Sequence, residues 1–230
     1  MIEITEIIRR TTHGVTRPFL CKASDGKTYY VKGKNVGNSG LIKEFIGAKL
    51  AQALQLPIPS FQILYVDIAL IEIYDGEGNE LGDGYVFGSE EIPSVTELKY
   101  ESIKEISISL KKDILIFDLW IRNEDRTLSK LGGNPNLFYK NKDLYVIDHN
   151  LIFDNSFSQV DFWNFHVFRE FGDFDLIDRE NYQNKMKLTL ETWESILDMI
   201  PQEWKKDFNL EETLQYLTKD ANGNIWERLK

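Results

Sequence analysis

The hydrophobic residues of the first part of the chain fall into short runs separated by turn-forming residues, a pattern typical of β-strands. The strand-like runs lie within residues 1–33, 61–73 and 85–87. The turns are at residues 25–27 and, rich in glycine, at 75–83. One longer apolar segment, residues 41–54, has the length of a helix, and Ser39 is a candidate for its N-cap. The helix is expected to end at Leu56-Pro57, because proline cannot continue a helix.

From Pro93 onwards the apolar residues recur mostly at helical spacing. The clearest buried stripe consists of Ile106, Leu110, Ile114, Phe117 and Ile121. Further helical pattern is present in residues 162–171, 189–200 and 210–217. The exception is the polar run 140–143 between two short apolar runs, 137–139 and 144–147, which predicts a β-hairpin.

A strand-rich first part followed by a helix-rich second part is typical of the α+β class. We expect two lobes that together form one domain. The N-lobe, residues 1–90, is β-rich with one main helix, and the C-lobe, residues 91–230, is helical with the hairpin. The boundary is expected within residues 88–94. A cleft between two lobes is a favoured place for a ligand.

Composition narrows the class of protein. The 230 residues are 42% hydrophobic and 13% aromatic, as in a folded protein, and the net charge is −10. This charge disfavours nucleic-acid and anionic-membrane partners, because both need clustered Lys and Arg. Cys21, the single cysteine, cannot form an internal disulfide. No signal-peptide core or membrane-length apolar run is present, so we expect a soluble cytoplasmic protein.

Two charged residues of the first part form a candidate phosphate-binding pair. Lys32 ends a predicted strand and Glu44 lies near the start of the predicted helix. A strand lysine paired with a helix glutamate can hold the α- and β-phosphates of ATP, as in protein kinases. Taken singly, the lysine also fits a solvated strand edge and the glutamate a polar helix face.

Three polar residues around the hairpin suit a magnesium–nucleotide site. With a turn centred near Lys142, Asn136 and Asp148 lie opposite each other, about 5 Å apart at Cβ. An amide oxygen beside a carboxylate is a hard-oxygen site suited to Mg²⁺. Asp125 follows a helical segment, where a catalytic base can reach the same place. Each residue also has an ordinary structural interpretation. Asp125 also fits a charged helix exit, Asn136 a loop, and Asp148 the cap of a turn.

The order of these residues leads to a family resemblance. The sequence resembles the HipA-like kinases in the stretches YYVKG (29–33), KEFIGAKLAQALQLPIP (43–59), FDLWIRNEDR (117–126), NPNLFY (134–139) and LYVIDHNLIF (144–153). The resemblance covers roughly residues 14 to 155. It implies a bilobal protein-kinase-like fold and an ATP- and Mg²⁺-dependent kinase that phosphorylates a hydroxyl, expected on a protein Ser or Thr. It also implies an antitoxin-like protein partner, as in toxin–antitoxin systems.

The resemblance assigns roles to the candidate residues. Lys32 corresponds to the ATP-phosphate lysine and Glu44 to its helix partner, while Asp125 corresponds to the catalytic aspartate. Asn136 and Asp148 correspond to the magnesium ligands. Asn134 competes with Asn136; the latter is preferred because apolar strand residues follow it directly.

Two weaker assignments concern nucleotide binding. Gly14 lies between two predicted strands, where a glycine-rich phosphate loop is expected, although a single glycine makes a poor cradle. Phe87 lies in a stretch that leads out of the first lobe. That stretch is either a hinge that offers backbone hydrogen bonds to adenine or an ordinary strand end.

Several departures from the family pattern keep other functions open. Thr127 replaces the histidine that often follows the Asp-Arg pair, residues 128–133 look like an insertion, and no glycine-rich loop is evident. These departures motivate an alternative hypothesis, a catalytically silent kinase-like module that binds nucleotide or protein. A small molecule or lipid headgroup as the phosphate acceptor is a further alternative.

Overall fold

Hydrogen bonding in the computed structural model, which describes residues 1–12 and 16–229, defines a mixed α+β chain. Within these residues the strands are β1 Ile2–Arg10, β2 Phe19–Ala23, β3 Thr28–Lys32, β4 Phe61–Val66, β5 Gly84–Glu90, β6 Thr96–Glu97, β7 Leu137–Lys140 and β8 Asp143–Val146. The helices are α1 Gly37–Ala53, α2 Ile68–Ile73, α3 Gly78–Leu81, α4 Ile108–Trp120, α5 Gln159–Phe165, α6 Leu176–Leu190, α7 Trp193–Met199, α8 Gln202–Lys205 and α9 Leu210–Ala221. The predicted α+β class is confirmed.

The first five strands close into a barrel in the order β1-β2-β3-β5-β4. Pairing is antiparallel except between β1 and β4, which run parallel. The barrel core is formed by apolar side chains that alternate along the strands, among them Phe19, Cys21, Val31 and Leu64, none of which is exposed. Burial raises the pKa of the Cys21 thiol to about 12, so this cysteine is an unreactive core residue.

Local signals explain where the predictions for the first part succeed and where they are wrong. Helix α1 begins at Gly37, ahead of the predicted Ser39 cap, and ends at Ala53, just before Leu56-Pro57. Residues 68–73 were predicted as strand but form α2, because Asp67 caps a helix there by accepting a hydrogen bond from the Ala69 N–H at 2.8 Å. The glycine-rich turn at 75–83 likewise contains the short helix α3.

Helix α4 contains Leu110, Ile114 and Phe117 of the predicted stripe, with Ile121 at its C-cap and Ile106 just ahead of its N-cap. Its N-cap is Ser107, whose hydroxyl accepts from the Leu110 N–H at 3.2 Å. Ile114, Phe117 and Ile121 are completely buried. Asp118 lies on the same helix and is also completely buried, an unusual position for a charged residue in an apolar segment.

The helical prediction is less complete in the last third of the chain. The aromatic stretch 162–171 is helical only through Phe165 and resumes as a 3₁₀ turn at Arg169–Phe171. Helix α6 had no clear sequence signal, because only Tyr182, Met186 and Thr189 of its fifteen residues are buried. These three positions have helical spacing, but so narrow a stripe, one of whose members is a threonine, gives only a weak hydrophobic periodicity.

The chain forms two compact units. The first contains Met1–Phe45, Pro59–Pro93 and Ile200–Phe208, and the second contains Ile46–Ile58, Ser94–Met199 and Asn209–Lys230. Both units are built from discontinuous segments. The division between Phe45 and Ile46 falls within α1, so this helix contributes residues to each unit. The division into lobes at residue 90 remains a prediction. Among the helices of the described residues, none combines the length and apolar character needed to cross a bilayer.

Candidate active site

Lys32 and Glu44 form a buried ion pair in the first unit. Lys32 is the last residue of β3 and is 8% exposed, while Glu44 lies on α1 and is 2% exposed. The ammonium of Lys32 donates to Oε1 of Glu44. The structure thus brings together the two residues that sequence order suggested. Because the pair is buried, removing one partner costs more than it would in a surface ion pair, since the other charge is left without its counter-charge.

Gly33 allows the chain to turn tightly after Lys32. A Cβ at this position would lie 2.0 Å from the carbonyl oxygen of Leu81, so only glycine permits this approach. The backbone thereby fixes where β3 ends and where Lys32 is presented.

The buried pair leads to a stability prediction. We expect Glu44→Gln to lower the free energy of unfolding by roughly 1.5–3 kcal/mol, because the buried ammonium of Lys32 loses its counter-charge and can donate only to an uncharged amide oxygen. The matched control is Glu90→Gln in the pair with Lys27, in which the side chains are 29% and 51% exposed; less than about 1 kcal/mol is expected there. Urea unfolding of both variants measures the difference, and equal losses would contradict the prediction.

Two further nucleotide-binding assignments remain predictions. Phe87 lies inside β5, where it is paired with Lys32 of β3 on one side and with Ile63 of β4 on the other. Its ring stacks on Phe61 with centroids 5.9 Å apart. Gly14 lies outside the described residues.

Asp125 is the centre of a polar cluster in the second unit. It is half-buried and lies on the loop between α4 and β7. Its Oδ2 atom accepts from the side-chain amide of Asn134 at 2.8 Å and from that of Asn136 at 2.9 Å. Both competing asparagines therefore contact the predicted catalytic carboxylate. Asn134 is exposed and Asn136 is only 8% exposed.

The hairpin β7–β8 has a different register from the predicted one. Leu137 pairs with Val146, and the Ile147 N–H donates to the Asn136 carbonyl at 3.1 Å, so Ile147 lies opposite Asn136. The prediction that Asp148 lies directly opposite is wrong by one residue. The reason is a tight two-residue turn at Asn141 and Lys142, both with positive φ, where a longer turn centred on Lys142 had been expected.

Asp148 nevertheless follows immediately after the position opposite Asn136. Both residues have left-handed backbone angles, with φ of 46° at Asn136 and 62° at Asp148. Strand alternation does not determine side-chain direction at such positions, since the rule applies to extended backbone. The loop after Asp148 packs closely on α1: a Cβ on Gly47 would lie 2.6 Å from Cβ of His149.

A buried polar network, which the sequence did not reveal, lies beside Asp125. Arg126 has no exposure and donates to both carboxylate oxygens of Asp118, from Nε to Oδ2 at 2.7 Å and from Nη2 to Oδ1 at 3.3 Å. Asn123 donates to Oδ1 of Asp118 at 2.8 Å and accepts from the Asp125 N–H at 3.2 Å. His166 contacts Oδ2 at 3.0 Å.

The hydrogen bonds fix the protonation of this network. Nδ1 of His166 accepts from the Phe168 N–H at 3.1 Å, so Nε2 carries the proton and donates to Asp118. Burial lowers the pKa of His166 and keeps the ring neutral, even though Asp118 acts in the opposite direction. Burial raises the pKa of Asp118, but the charge of Arg126 and the His166 hydrogen bond outweigh it and bring the pKa to about 2.

The one sequence signal for the network was Asp118 itself, a charged residue within an otherwise apolar helical stretch. Arg126 follows Asp125 in a charged stretch that is also typical of an ordinary helix exit, and His166 has no metal-ligand spacing to the other histidines. Asp118 and His166 are far apart in the sequence, so only the fold brings them together.

The polar groups near the hairpin include oxygen donors of the kind that Mg²⁺ binds. Within residues 1–12 and 16–229, no group of three or more His, Cys, Asp or Glu side chains is arranged to hold a metal ion. Mg²⁺ needs fewer protein ligands, because it keeps waters and binds substrate phosphates. The amide oxygen of Asn136 and the carboxylate of Asp148 are hard donors of the required kind.

Comparison with known proteins identifies the family. No curated protein matches the chain. A family model described as HipA-like kinase matches residues 4–229, nearly the whole chain, which extends the resemblance beyond the stretches recognised by motif. The chain therefore belongs to the HipA-like kinase family.

Proposed function

We propose that the protein is an ATP-dependent kinase that transfers the γ-phosphate to a hydroxyl group with the help of Mg²⁺. The observation that carries this proposal is the cluster in which Asn134 and Asn136 both donate to the carboxylate of Asp125. Both bonds go to Oδ2 and hold the carboxylate in one orientation, so Oδ1 is the oxygen that we assign to the acceptor hydroxyl. Family membership supports the kinase class.

Each residue has a role that follows from its chemistry. Asp125 orients the attacking hydroxyl and accepts its proton, which requires a fixed carboxylate. Lys32, held by Glu44, contacts the ATP phosphates. Asn136 and Asp148 hold the magnesium ion, which neutralises charge on the phosphates when it is bound.

We propose a serine or threonine of a protein as the acceptor, and an antitoxin-like protein as a second partner. The net charge of −10 supports a protein partner over a nucleic acid, because phosphate backbones bind basic surfaces. The exposed Asn134 and half-buried Asp125 make the cluster accessible to a side-chain hydroxyl.

Two measurements test the proposal. At a Mg-ATP concentration of about 100 Kd, we expect the native state to gain about 2.7 kcal/mol, since only the folded protein binds the ligand. For a chain of this length that corresponds to a rise in Tm of roughly 5–10 °C. Asp148→Ala, which lacks a magnesium ligand, is expected to show a much smaller rise.

Incubation with γ-labelled ATP and cell lysate then tests transfer itself. We expect label on protein in the presence of Mg²⁺ and none after chelation with EDTA. Binding of Mg-ATP without any transfer would instead support the catalytically silent module. The absence of both binding and transfer would overturn the proposal.

A further inference from the structure

The guanidinium of Arg126 contacts the residues that directly precede β7 and directly follow β8, as well as helix α4. Besides its two bonds to Asp118, its Nη1 atom donates to the backbone carbonyls of Asn136 and, at 3.2 Å, of Ile147. Pro135 offers a third carbonyl at 3.5 Å. One buried side chain therefore joins the end of α4 to the base of β7 and the end of β8.

The two carbonyls belong to residues that determine where the metal ligands lie. Asn136 is itself a proposed ligand, and Ile147 directly precedes Asp148. The carbonyl of Asn136 accepts both from Arg126 and from the Ile147 N–H. Because Asn136 and Asp148 have left-handed backbone angles, the ladder of the hairpin does not fix the direction of their side chains. The contacts of the adjacent peptide groups then contribute to it, in addition to the bond that the Asn136 amide donates to Asp125.

Arg126 is itself held rigidly. Asp118 receives donors on both oxygens, from Arg126, Asn123 and His166, and all four residues are at most 1% exposed. A planar guanidinium can bind a carboxylate with one edge and backbone carbonyls with another, whereas a lysine ammonium is a point donor on a flexible chain. The geometry specifically requires arginine at this position.

We propose that Arg126 is a positioning residue for metal binding: it holds the backbone of Asn136 and Ile147 so that the side chains of Asn136 and Asp148 bind one Mg²⁺ ion. This inference rests on the proposed function and adds to it a residue that does not touch the metal. Groups that orient metal ligands in this way typically contribute a factor of about 10–100 to metal affinity.

The experiment measures metal affinity without catalysis. Mn²⁺, which replaces Mg²⁺ and is paramagnetic, is titrated into protein saturated with a non-hydrolysable ATP analogue, and water-proton relaxation reports the bound metal. For Arg126→Lys we expect an Mn²⁺ Kd about 10–100-fold higher than for the wild type. Circular dichroism determines the folded fraction of each protein.

This readout separates positioning from folding. If Arg126 served folding alone, Arg126→Lys would reduce the number of Mn²⁺ sites in proportion to the folded fraction and leave the Kd of those sites unchanged. The matched control is Arg179→Lys, another arginine that donates to a backbone carbonyl, that of Phe174 at 3.0 Å. Its Mn²⁺ affinity is expected to equal that of the wild type.

Each outcome is decisive. Equal Kd values for the wild type and Arg126→Lys overturn the inference while the proposed function stands. If the wild type itself shows no nucleotide-dependent Mn²⁺ site, the proposed function fails first. Should Arg126→Lys not fold, Asp118→Asn replaces it, since it removes the anion that orients Arg126; an unchanged Kd in that variant overturns the inference equally.

Discussion

Replacing Asp125 with asparagine is expected to lower the rate of phosphoryl transfer about 10²–10⁴-fold, the usual contribution of a positioned general base. The wild-type carboxylate is held on Oδ2 by the amides of Asn134 and Asn136, at 2.8 and 2.9 Å. Asparagine has nearly the same shape but one acceptor oxygen. If that oxygen keeps the two amide bonds, an NH₂ group faces the acceptor hydroxyl and cannot take its proton.

The measurement is the initial rate of label transfer from γ-labelled ATP at saturating Mg²⁺. We expect kcat to fall and the affinity for Mg-ATP, measured by thermal shift, to change little. The matched control is Asp143→Asn at the exposed start of β8, which carries the same change of charge and is expected to keep wild-type activity. Equal rates for the two variants would show that Asp125 does not act as the base.

Much of the first unit was predictable because its signals are local. The strand that ends at Lys32 and the helix that carries Glu44 follow from β-rich and helical runs separated by short turns. That the two residues pair was suggested by the similarity to protein kinases, not by these local signals. The helix at residues 68–73 was missed because a short apolar run fits strand and helix equally well. Its Asp67 cap was the only signal that distinguishes the two.

The hairpin shows why register is harder to predict than the existence of an element. The pattern of apolar and polar residues identified both strands, but the turn consists of only Asn141 and Lys142. A type I′ turn needs positive φ at both positions, and lysine is not a residue that signals it. The one-residue error placed Asp148 opposite Asn136, and a shift of one residue changes which side chains face each other.

The network around Asp118 could not be predicted, because it depends on tertiary contacts. Sequence alone shows an aspartate in an apolar helix, which suggests a buried partner without identifying it. The partners come from the loop that follows α4 and from the residue that ends α5. The departure of residues 162–171 from a continuous helix falls at this point, since α5 ends at Phe165 and the ring of the next residue, His166, contacts Asp118.

Asp118→Asn is expected to destabilise the protein by about 3–5 kcal/mol, the usual cost of leaving a buried charge without its partner. The change preserves volume, so no cavity is formed. Both oxygens of Asp118 accept hydrogen bonds, whereas asparagine offers one oxygen and one NH₂ group. Whichever way the amide turns, its NH₂ faces a donor of Arg126, Asn123 or His166, and the Arg126 charge is no longer balanced.

The effect also depends on pH. The pKa of Asp118 in the folded state, about 2, is lower than its ordinary value of 3.8, so the unfolded state binds the proton more readily. The carboxylate therefore contributes its full stability above about pH 4 and loses it as the pH falls towards 2. We expect the difference in stability between wild type and Asp118→Asn to be constant near neutral pH and to shrink in strong acid.

Urea unfolding from pH 7 down to the lowest pH at which the wild type stays folded measures this difference. The matched control is Asp178→Asn, which loses only a partly exposed ion pair with Lys112, at 2.7 Å, and is expected to cost less than about 1 kcal/mol. A loss in Asp118→Asn no larger than in Asp178→Asn would show that the buried network does not stabilise the second unit. A loss that did not diminish in acid would show that the charge of Asp118 is not its source, because only an ionised carboxylate can be lost by protonation.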